Sequence, residues 1–463
     1  MTPLAGLPVV TAAAMRAAED AVVARGTSVI ELMDRAGKAV AEAVWRLGGD
    51  SPVLVLCGPG NNGGDGYVAA AALAARGVPV RVAASAPPGT EAARHARLGW
   101  QGPVEALADA VPAPVLVDAL FGTGLSRPLD AAINQPLVAL ARAASMSITV
   151  DVPSGVGTDD GKLLADVPVF DVTLALGAAK PAHLLQPSAR HCGSVRPLDI
   201  GIPVTSDLRV LGRPVLPPPD ADAHKYSRGM VAVIAGVMPG AAELAAEAAM
   251  RAGAGYVLLL GPGGPIAPHA IVRRPWDADA LTDKRIGAVL VGPGLGRDGD
   301  AVARLDAAIA CPHALVIDGD ALHMLDEHRL DKLAARGAPT ALTPHPGEFT
   351  ALFGTPDGSK IDAARAAAQR AGAFVVFKGA DTVIAAPDGQ IRLAEPASTW
   401  LSTAGTGDVL AGTIAAMLSS GKSPTLDRIG AGVWLHAEAA RRLGGAFIAD
   451  DLAAELTIVR GSL

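Results

Sequence analysis

The feature that most constrains this chain is a rhythm that runs twice. Short, fully apolar, β-branched runs alternate with alanine-rich stretches of helical length, and the pattern restarts after a proline-rich connector. In the first cycle, strands are predicted at 53–57, 78–83, 115–117 and 148–150, a helix at 67–76, and helical material at 16–45. In the second, strands are predicted at 230–235, 256–260, 288–291, 315–317, 340–342 and 375–377, with helices at 241–252, 363–371 and 409–418. Apolar strands bounded by turns and separated by helices indicate βαβ units and a parallel sheet. The connector, Gly212 to Asp220, contains Pro217-Pro218-Pro219, which can continue neither a helix nor a central strand. The boundary is expected near 212–222, giving domains 1–212 and 213–463. Aromatic residues are only 3% and glycines number 53, which suits helices packed closely on a sheet and disfavours an aromatic-rich sandwich.

Charge and cysteine usage exclude several functions. Net charge is −3 over residues 1–212 and −4 over the remainder, with no basic stripe in either, so neither nucleic acid nor an anionic membrane is an expected partner. Cys57, Cys192 and Cys311 are far apart and form neither a disulfide framework nor a metal spacing. With no signal-like leader and no apolar run of the ~20 residues needed to span a bilayer, a cytoplasmic protein is expected.

In the first cycle, Gly58-Pro59-Gly60-Asn61-Asn62-Gly63-Gly64-Asp65-Gly66 lies between strand and helix. Such a loop allows positive φ and close approach of a ligand, and the helix start behind it suits phosphate. The spacing matches neither a Walker loop nor the dinucleotide fingerprint. It reads as a ligand loop or as a tight turn. Asp118 and Asp151 each follow an apolar strand at its C-terminal end, where open α/β sheets bind ligands. Each alone could be a cap; two beside a glycine loop suggest one shared site.

In the second cycle, Thr403-Ala404-Gly405-Thr406-Gly407-Asp408 leads straight into an apolar helix. Small residues there can aim backbone N–H groups at developing negative charge, and Asp408 can take a proton from a hydroxyl as phosphate is transferred. The competing reading is an acid favouring the helix dipole. Asp318 and Asp320 end a strand and could orient a water or metal, or cap backbone. His95, His183 and His191 lack ligand-spaced partners and read as surface or satisfied core residues. Cys57 reads as a small hydrophobe. Trp400 could line a pocket or pack in the core, and Lys180-Pro181 could join the first site or start a loop.

The ordered set Asn61-Asn62-Gly63-Gly64-Asp65, Phe121-Gly122-Thr123-Gly124 and Asp151-Val152-Pro153-Ser154-Gly155 resembles the NAD(P)HX epimerase family over about residues 10–205. Arg16-Ala17-Ala18-Glu19 and Leu32-Met33-Asp34-Arg35-Ala36-Gly37 resemble its N-terminal helices. The resemblance implies a Rossmann-like three-layer domain. Asn61, Asn62, Gly63, Gly64, Asp65, Gly122, Thr123, Gly124, Leu125, Ser126, Arg127 and Pro128 would hold the hydrated dinucleotide. Asn62, Asp118 and Ser154 would bind K⁺. Asp151 would contact the reactive ring, moving a proton or stabilising cationic character there.

His224 to Gly229, Ala249 to Gly255, Gly292-Pro293-Gly294-Leu295-Gly296, Asp318 to Leu322, Thr343 to Phe349, Lys378 to Thr382 and Thr403 to Gly412 together resemble the ADP-dependent NAD(P)HX dehydratase family over about residues 222–460. That family belongs to the ribokinase-like α/β/α sandwiches. The resemblance implies that Ala241, Gly294, His345 and Asp408 face the hydrated nucleotide. Lys378, Gly379, Ala380, Asp381, Thr382 and Gly407 would face ADP, the co-substrate, and Glu348 would help organise Mg²⁺ or stand as a solvated turn acid. Asp408 would be the base. Family members carry Gly where Ala404 stands; strain follows only if that position needs positive φ. Gly319, where Ala is common, is expected to be harmless.

The implied function is repair of hydrated NADH and NADPH: epimerisation of the R and S forms, and dehydration of the S form with ADP to give the coenzyme, AMP and phosphate. A homo-oligomer is expected. Two other readings compete. One is a small-molecule kinase, against which the fused first domain speaks. The other is a first domain reduced to a binding module, against which retention of Asp65, Asp118 and Asp151 speaks.

Overall fold

The computed structural model describes residues 3–262, 267–421, 423 and 425–463. The chain divides into two compact units, Met1–Val210 and Leu211–Leu463. Among the described residues no helix is long and apolar enough to cross a membrane.

The first unit runs α1 (Ala12–Val23), α2 (Val29–Gly48), β1 (Val53–Cys57), α3 (Asn61–Ala75), β2 (Val80–Ala84), α4 (Glu91–Gly99), β3 (Val104–Ala106), β4 (Val115–Ala119), α5 (Ala131–Ala143), β5 (Met146–Val150), β6 (Val172–Leu176), β7 (Ser194–Leu198) and β8 (Leu208–Val210). Seven strands pair in the order β3-β2-β1-β4-β5-β6-β7, all parallel. Strand residues alternate between two cores. Val53, Val55, Cys57, Val115 and Val117 pack towards α2 and α3, and Leu54, Leu56 and Leu116 pack towards α5. That alternation makes three layers. Helix α2 shows why it sits where it does. Ser28 caps its start by accepting from Glu31 N, and Leu32, Met33, Ala36, Val40, Ala41 and Val44 form one buried stripe. Each fully buried Leu or Val there contributes about 1.5–3 kcal/mol.

The second unit runs β9 (Met230–Ile234), α6 (Pro239–Arg251), β10 (Tyr256–Leu260), β11 (Val272–Arg274), β12 (Ala288–Val291), α7 (Gly299–Ala310), β13 (Ala314–Ile317), α8 (Asp320–His323), α9 (Glu327–Ala334), β14 (Thr340–Leu342), α10 (Pro346–Phe353), α11 (Lys360–Ala371), β15 (Phe374–Phe377), β16 (Val383–Ala385), β17 (Ile391–Leu393), α12 (Thr406–Ser419), α13 (Thr425–Leu443) and α14 (Ala449–Gly461). Its strands lie in the order β11-β10-β9-β12-β13-β14-β15-β16-β17. They are parallel through β15, and β16 and β17 turn back antiparallel. One face packs on α6, α12 and α13 through Val231, Val233, Leu259, Leu290 and Val316. The expected α/β class and parallel sheets are therefore the observed ones.

In both units strand order reverses at one place, between β1 and β4 and between β9 and β12. Crevices open at such switch points beyond the C-terminal strand ends. Backbones converge there so tightly that a side chain is excluded. A Cβ on Gly58 would lie 1.8 Å from Leu120 O, and one on Gly236 would lie 2.1 Å from Leu295 O.

Candidate functional site

The glycine-rich segment after β1 corrects the expectation of a loop with positive φ. Asn61 to Gly66 already belong to α3, and none of the five glycines has positive φ. Glycine is required by contact instead. A Cβ on Gly63 would stand 1.9 Å from Gly58 O, and one on Gly64 2.4 Å from Met33 Sδ. The segment is thus a helix start pressed onto the β1–β4 crevice, with its N–H groups facing the strand ends.

A cavity of about 570 Å³ opens there. Asn61, Asn62, Asp65, Gly122, Thr123, Gly124, Leu125 and Asp151 line it, together with Arg16, Glu19 and Lys180. Gly63 and Gly64 lie buried behind it, while Ser126, Arg127 and Pro128 are exposed and outside its lining. Asp151 follows β5 at φ 69°, the one non-glycine residue with positive φ among those described. Its backbone is held by Asp151 N donating to Leu174 O at 2.8 Å and by His183 Nε2 at 2.7 Å from Asp151 O. The left-handed turn aims the carboxylate into the cavity, and such strain is commonest at functional sites. Lys180 is wholly buried, ion-pairs with Asp151 Oδ1, and also donates to Leu176 O at 2.6 Å. Lys180 therefore joins the first site, the reading that residue types alone left open. His183 is a satisfied core histidine; burial, then Lys180, pushes it down to about 4.

Asp118 is fully buried and supports the wall from behind. Its carboxylate accepts from Ser154 Oγ at 2.8 Å, Ser154 N at 3.0 Å, Leu120 N at 3.1 Å and Thr149 Oγ1 at 3.3 Å. Ser154 Oγ in turn accepts from Phe121 N at 2.9 Å. Asn62 Nδ2 is buried without a hydrogen-bond partner, and a Cβ on Gly122 would meet Asn62 Oδ1 at 3.1 Å and Asp151 Oδ2 at 3.3 Å. Asn62, Gly122 and Asp151 therefore crowd one corner. Cys57 is a buried hydrophobe.

In the second unit the chemistry gathers along the ends of β13, β14 and β15. Buried Asp318 accepts from Lys378 Nζ at 2.7 Å and Thr343 Oγ1 at 2.7 Å. Lys378 Nζ is 3.9 Å from Glu348 Oε2 and would be 3.5 Å from a Cβ on Gly407. Burial alone would lower the Lys378 ammonium, but Asp318, then Glu348 and Asp408, hold it above the ordinary lysine value. Glu348 is buried and closes the start of α10, accepting from His345 N at 2.8 Å while His345 Nδ1 accepts from Glu348 N at 3.1 Å. Asp381 is held by Lys360 at 2.6 Å, and Lys360 also donates to Lys378 O and lies 4.5 Å over Phe377.

Gly405 caps α12 in the left-handed region at φ 90°. Gly407 N and Asp408 N have no backbone acceptor one turn back, so both point outward at the helix start. Thr406 Oγ1 ties the turn to Leu401 O at 2.8 Å, and buried His436 contacts Thr406 O at 2.9 Å. Asp408, in the first turn, is half-buried, and no described side chain donates to it. Burial first, then Asp318, push its carboxyl up to about 7, Lys378 opposing. Ala404 has no positive φ and carries no strain. Gly319 lies at φ 52°, so glycine there is favoured by the backbone, a constraint the residue pattern does not reveal. A Cβ on Gly405 would meet Leu244 of α6 at 2.8 Å, and one on Gly294 would meet Ala241 Cβ at 3.1 Å, so α6 links Ala241 and Gly294 to the α12 start. Asp320 is spent on Gly296 N and Arg297. Trp400 is exposed.

Carboxylates and a lysine at the C-terminal edge of a parallel sheet, beside helix starts with outward N–H groups, define in each unit an α/β enzyme centre for a phosphorylated ligand. Comparison narrows that class. A family described as NAD(P)H-hydrate dehydratase matches residues 231–457, and one described as YjeF-related protein N-terminus matches 29–182. The bifunctional NAD(P)H-hydrate repair enzyme of Gloeobacter violaceus is 36% identical, over 95% of this chain and 94% of that one. Its counterpart in Salinibacter ruber is also 36% identical, over 94% and 92%. The chain belongs to the family of bifunctional NAD(P)H-hydrate repair enzymes. Among solved structures, the ADP/ATP-dependent NAD(P)H-hydrate dehydratase of Bacillus subtilis, co-crystallised with ATP/Mg²⁺, is 28% identical over 53% of this chain and 94% of that one, at a TM-score of 0.47.

Proposed function

We propose that the first unit interconverts the two epimers of hydrated NADH and NADPH, and that the second dehydrates the S epimer at the expense of ADP. The observation that carries the reading is Asp408: a carboxylate without a hydrogen-bond donor, in the first turn of a helix whose N–H groups are free, beside Lys378. Hydroxide leaves a ring carbon poorly, whereas phosphate leaves well. Asp408 takes the proton of the ring hydroxyl as its oxygen attacks the terminal phosphorus of ADP. The N–H groups of Gly407 and Asp408 and the Lys378 ammonium stabilise the charge that develops on the phosphoryl oxygens. AMP departs, phosphate is then expelled as the ring-nitrogen lone pair forms a carbon–nitrogen double bond, and loss of a proton from the adjacent ring carbon to solvent restores the reduced coenzyme. Asp318 holds Lys378 in place. Glu348 suits Mg²⁺ as one carboxylate in a site that substrate phosphates would complete; no self-sufficient acid or histidine cluster for a metal occurs among the described residues. Bound there, Mg²⁺ would neutralise phosphate charge.

In the first unit Asp151, ion-paired with the buried Lys180, serves the ring carbon. Asn62, Asp118 and Ser154 offer only oxygen ligands, the donor chemistry K⁺ requires, and Asp118 with Ser154 forms the rigid half of that set. Ser126, Arg127 and Pro128 are part of the proposal as a strap over the dinucleotide. A homo-oligomer and a cytoplasmic location complete it, the latter supported by three buried free cysteines.

The test is product identity. Given both epimers, Mg²⁺ and ADP, the protein should return all of the hydrate as dihydronicotinamide, with AMP and phosphate. A stable phosphorylated alcohol would identify a kinase instead.

A further inference from the structure

The first cavity contains two acids to which the account so far gives no part in the chemistry. Asp65 is only 7% exposed, lines the cavity, and accepts no hydrogen bond from a described residue. Glu19 of α1 lines the same cavity, half-buried and also without a donor. Asp151 differs: Lys180 and Leu176 N both donate to it. One turn before Asp65, the buried Asn62 Nδ2 has no partner either. A buried carboxyl without donors is costly unless it keeps its proton or a ligand completes it. The first of these conditions describes a group that can offer a proton to a ligand.

Inversion at a ring carbon that bears both nitrogen and hydroxyl needs an acid for the departing oxygen and a base for the arriving one. Separate elements supply them here: α3 brings Asp65, α1 brings Glu19, and the turn after β5 brings Asp151. Resting on the repair reading above, we propose that Asp65 is the general acid of epimerisation, that Glu19 exchanges its proton with solvent, and that Asp151 is the base.

The step balances as follows. Asp65 gives its proton to the ring hydroxyl; the carbon–oxygen bond breaks as the nitrogen lone pair forms a carbon–nitrogen double bond, and water leaves. Water then adds to the other face and Asp151 takes its proton. Both carboxyls reset by proton exchange, Asp65 through Glu19. Burial first, then Asp151 and Glu19, raise Asp65 well above the carboxylate range, and Glu19 is raised by burial and Asp151. Lys180, next to Asp151, opposes the rise at Glu19.

The test uses full-length Glu19→Gln and Asp65→Asn, with separated epimers in isotopically labelled water. Asp65→Asn should slow kcat for interconversion by about 10²–10⁴-fold with KM nearly unchanged. Glu19→Gln, at a half-exposed position that tolerates the amide, should be slower than wild type and recover with added formate. The inverted product should carry solvent oxygen. Wild-type rates in Glu19→Gln at every formate concentration, or an inverted product that keeps its original oxygen, would overturn the proposal. Failure of the wild type to interconvert the epimers would instead overturn the repair reading.

Discussion

At the scale of single residues, Asp408 and Asp151 differ in their surroundings. Asp408 has burial and acids against it, with Lys378 alone in its favour, so it titrates near the working range. A base must be ionised. The dehydration rate should therefore rise through pH about 7 and level off above it, measured as recovered dihydronicotinamide across a pH series. Asp408→Asn should lower dehydration by about 10²–10⁴-fold and leave epimerisation alone. Asp151 relies on a buried cation. Removing that cation in Lys180→Met should destabilise the first unit by about 3–5 kcal/mol in denaturant titration, because a buried carboxylate loses its partner. Asp408 was legible in the residue order because small residues before an apolar helix leave a recognisable trace. Lys180 was left open between the site and a loop start, and Glu19 was not legible, since what makes them functional is the cavity they share with residues more than 25 positions away.

At the scale of elements, glycine positions divide by geometry. Gly63 and Gly412 are helical, yet a Cβ on Gly412 would lie 2.0 Å from Ala245 O, where α12 crosses α6. Gly412→Ala should cost about 1–3 kcal/mol as the helices move apart, read from the unfolding midpoint. Ala404→Gly should change neither rate nor midpoint beyond about 1 kcal/mol, since Ala404 needs no positive φ. The strand pattern was readable because buried parallel strands are continuous apolar runs. All six strands expected in the second cycle are found, β10, β12 and β14 with the same ends. The antiparallel β16 and β17 escaped notice because, with no helix between them, such short strands lack the βαβ rhythm that marks the others. The helical start of α3 escaped because its Asn-Gly composition argues for a loop, and only close packing, of Gly63 on Gly58, Gly64 on Met33 of α2 and Gly66 on β1 and β4, explains these glycines.

At the scale of the whole chain, two α/β units carry separate chemistries. A stereospecific dehydratase consumes one epimer, and an epimerase on the same chain makes the other available. Single-site variants should therefore separate the two activities. Asp151→Ala should leave one epimer unconsumed where spontaneous interconversion is slow, and equal loss of both would remove the first unit from the reaction. The central claim is that Asp408 lets the ring hydroxyl itself accept the phosphoryl group. The most direct measurement follows a labelled oxygen placed in that hydroxyl during ADP-dependent dehydration. The label should appear in inorganic phosphate, one per coenzyme restored, and vanish from it in Asp408→Asn. Label found in water, with unlabelled phosphate, would contradict the account.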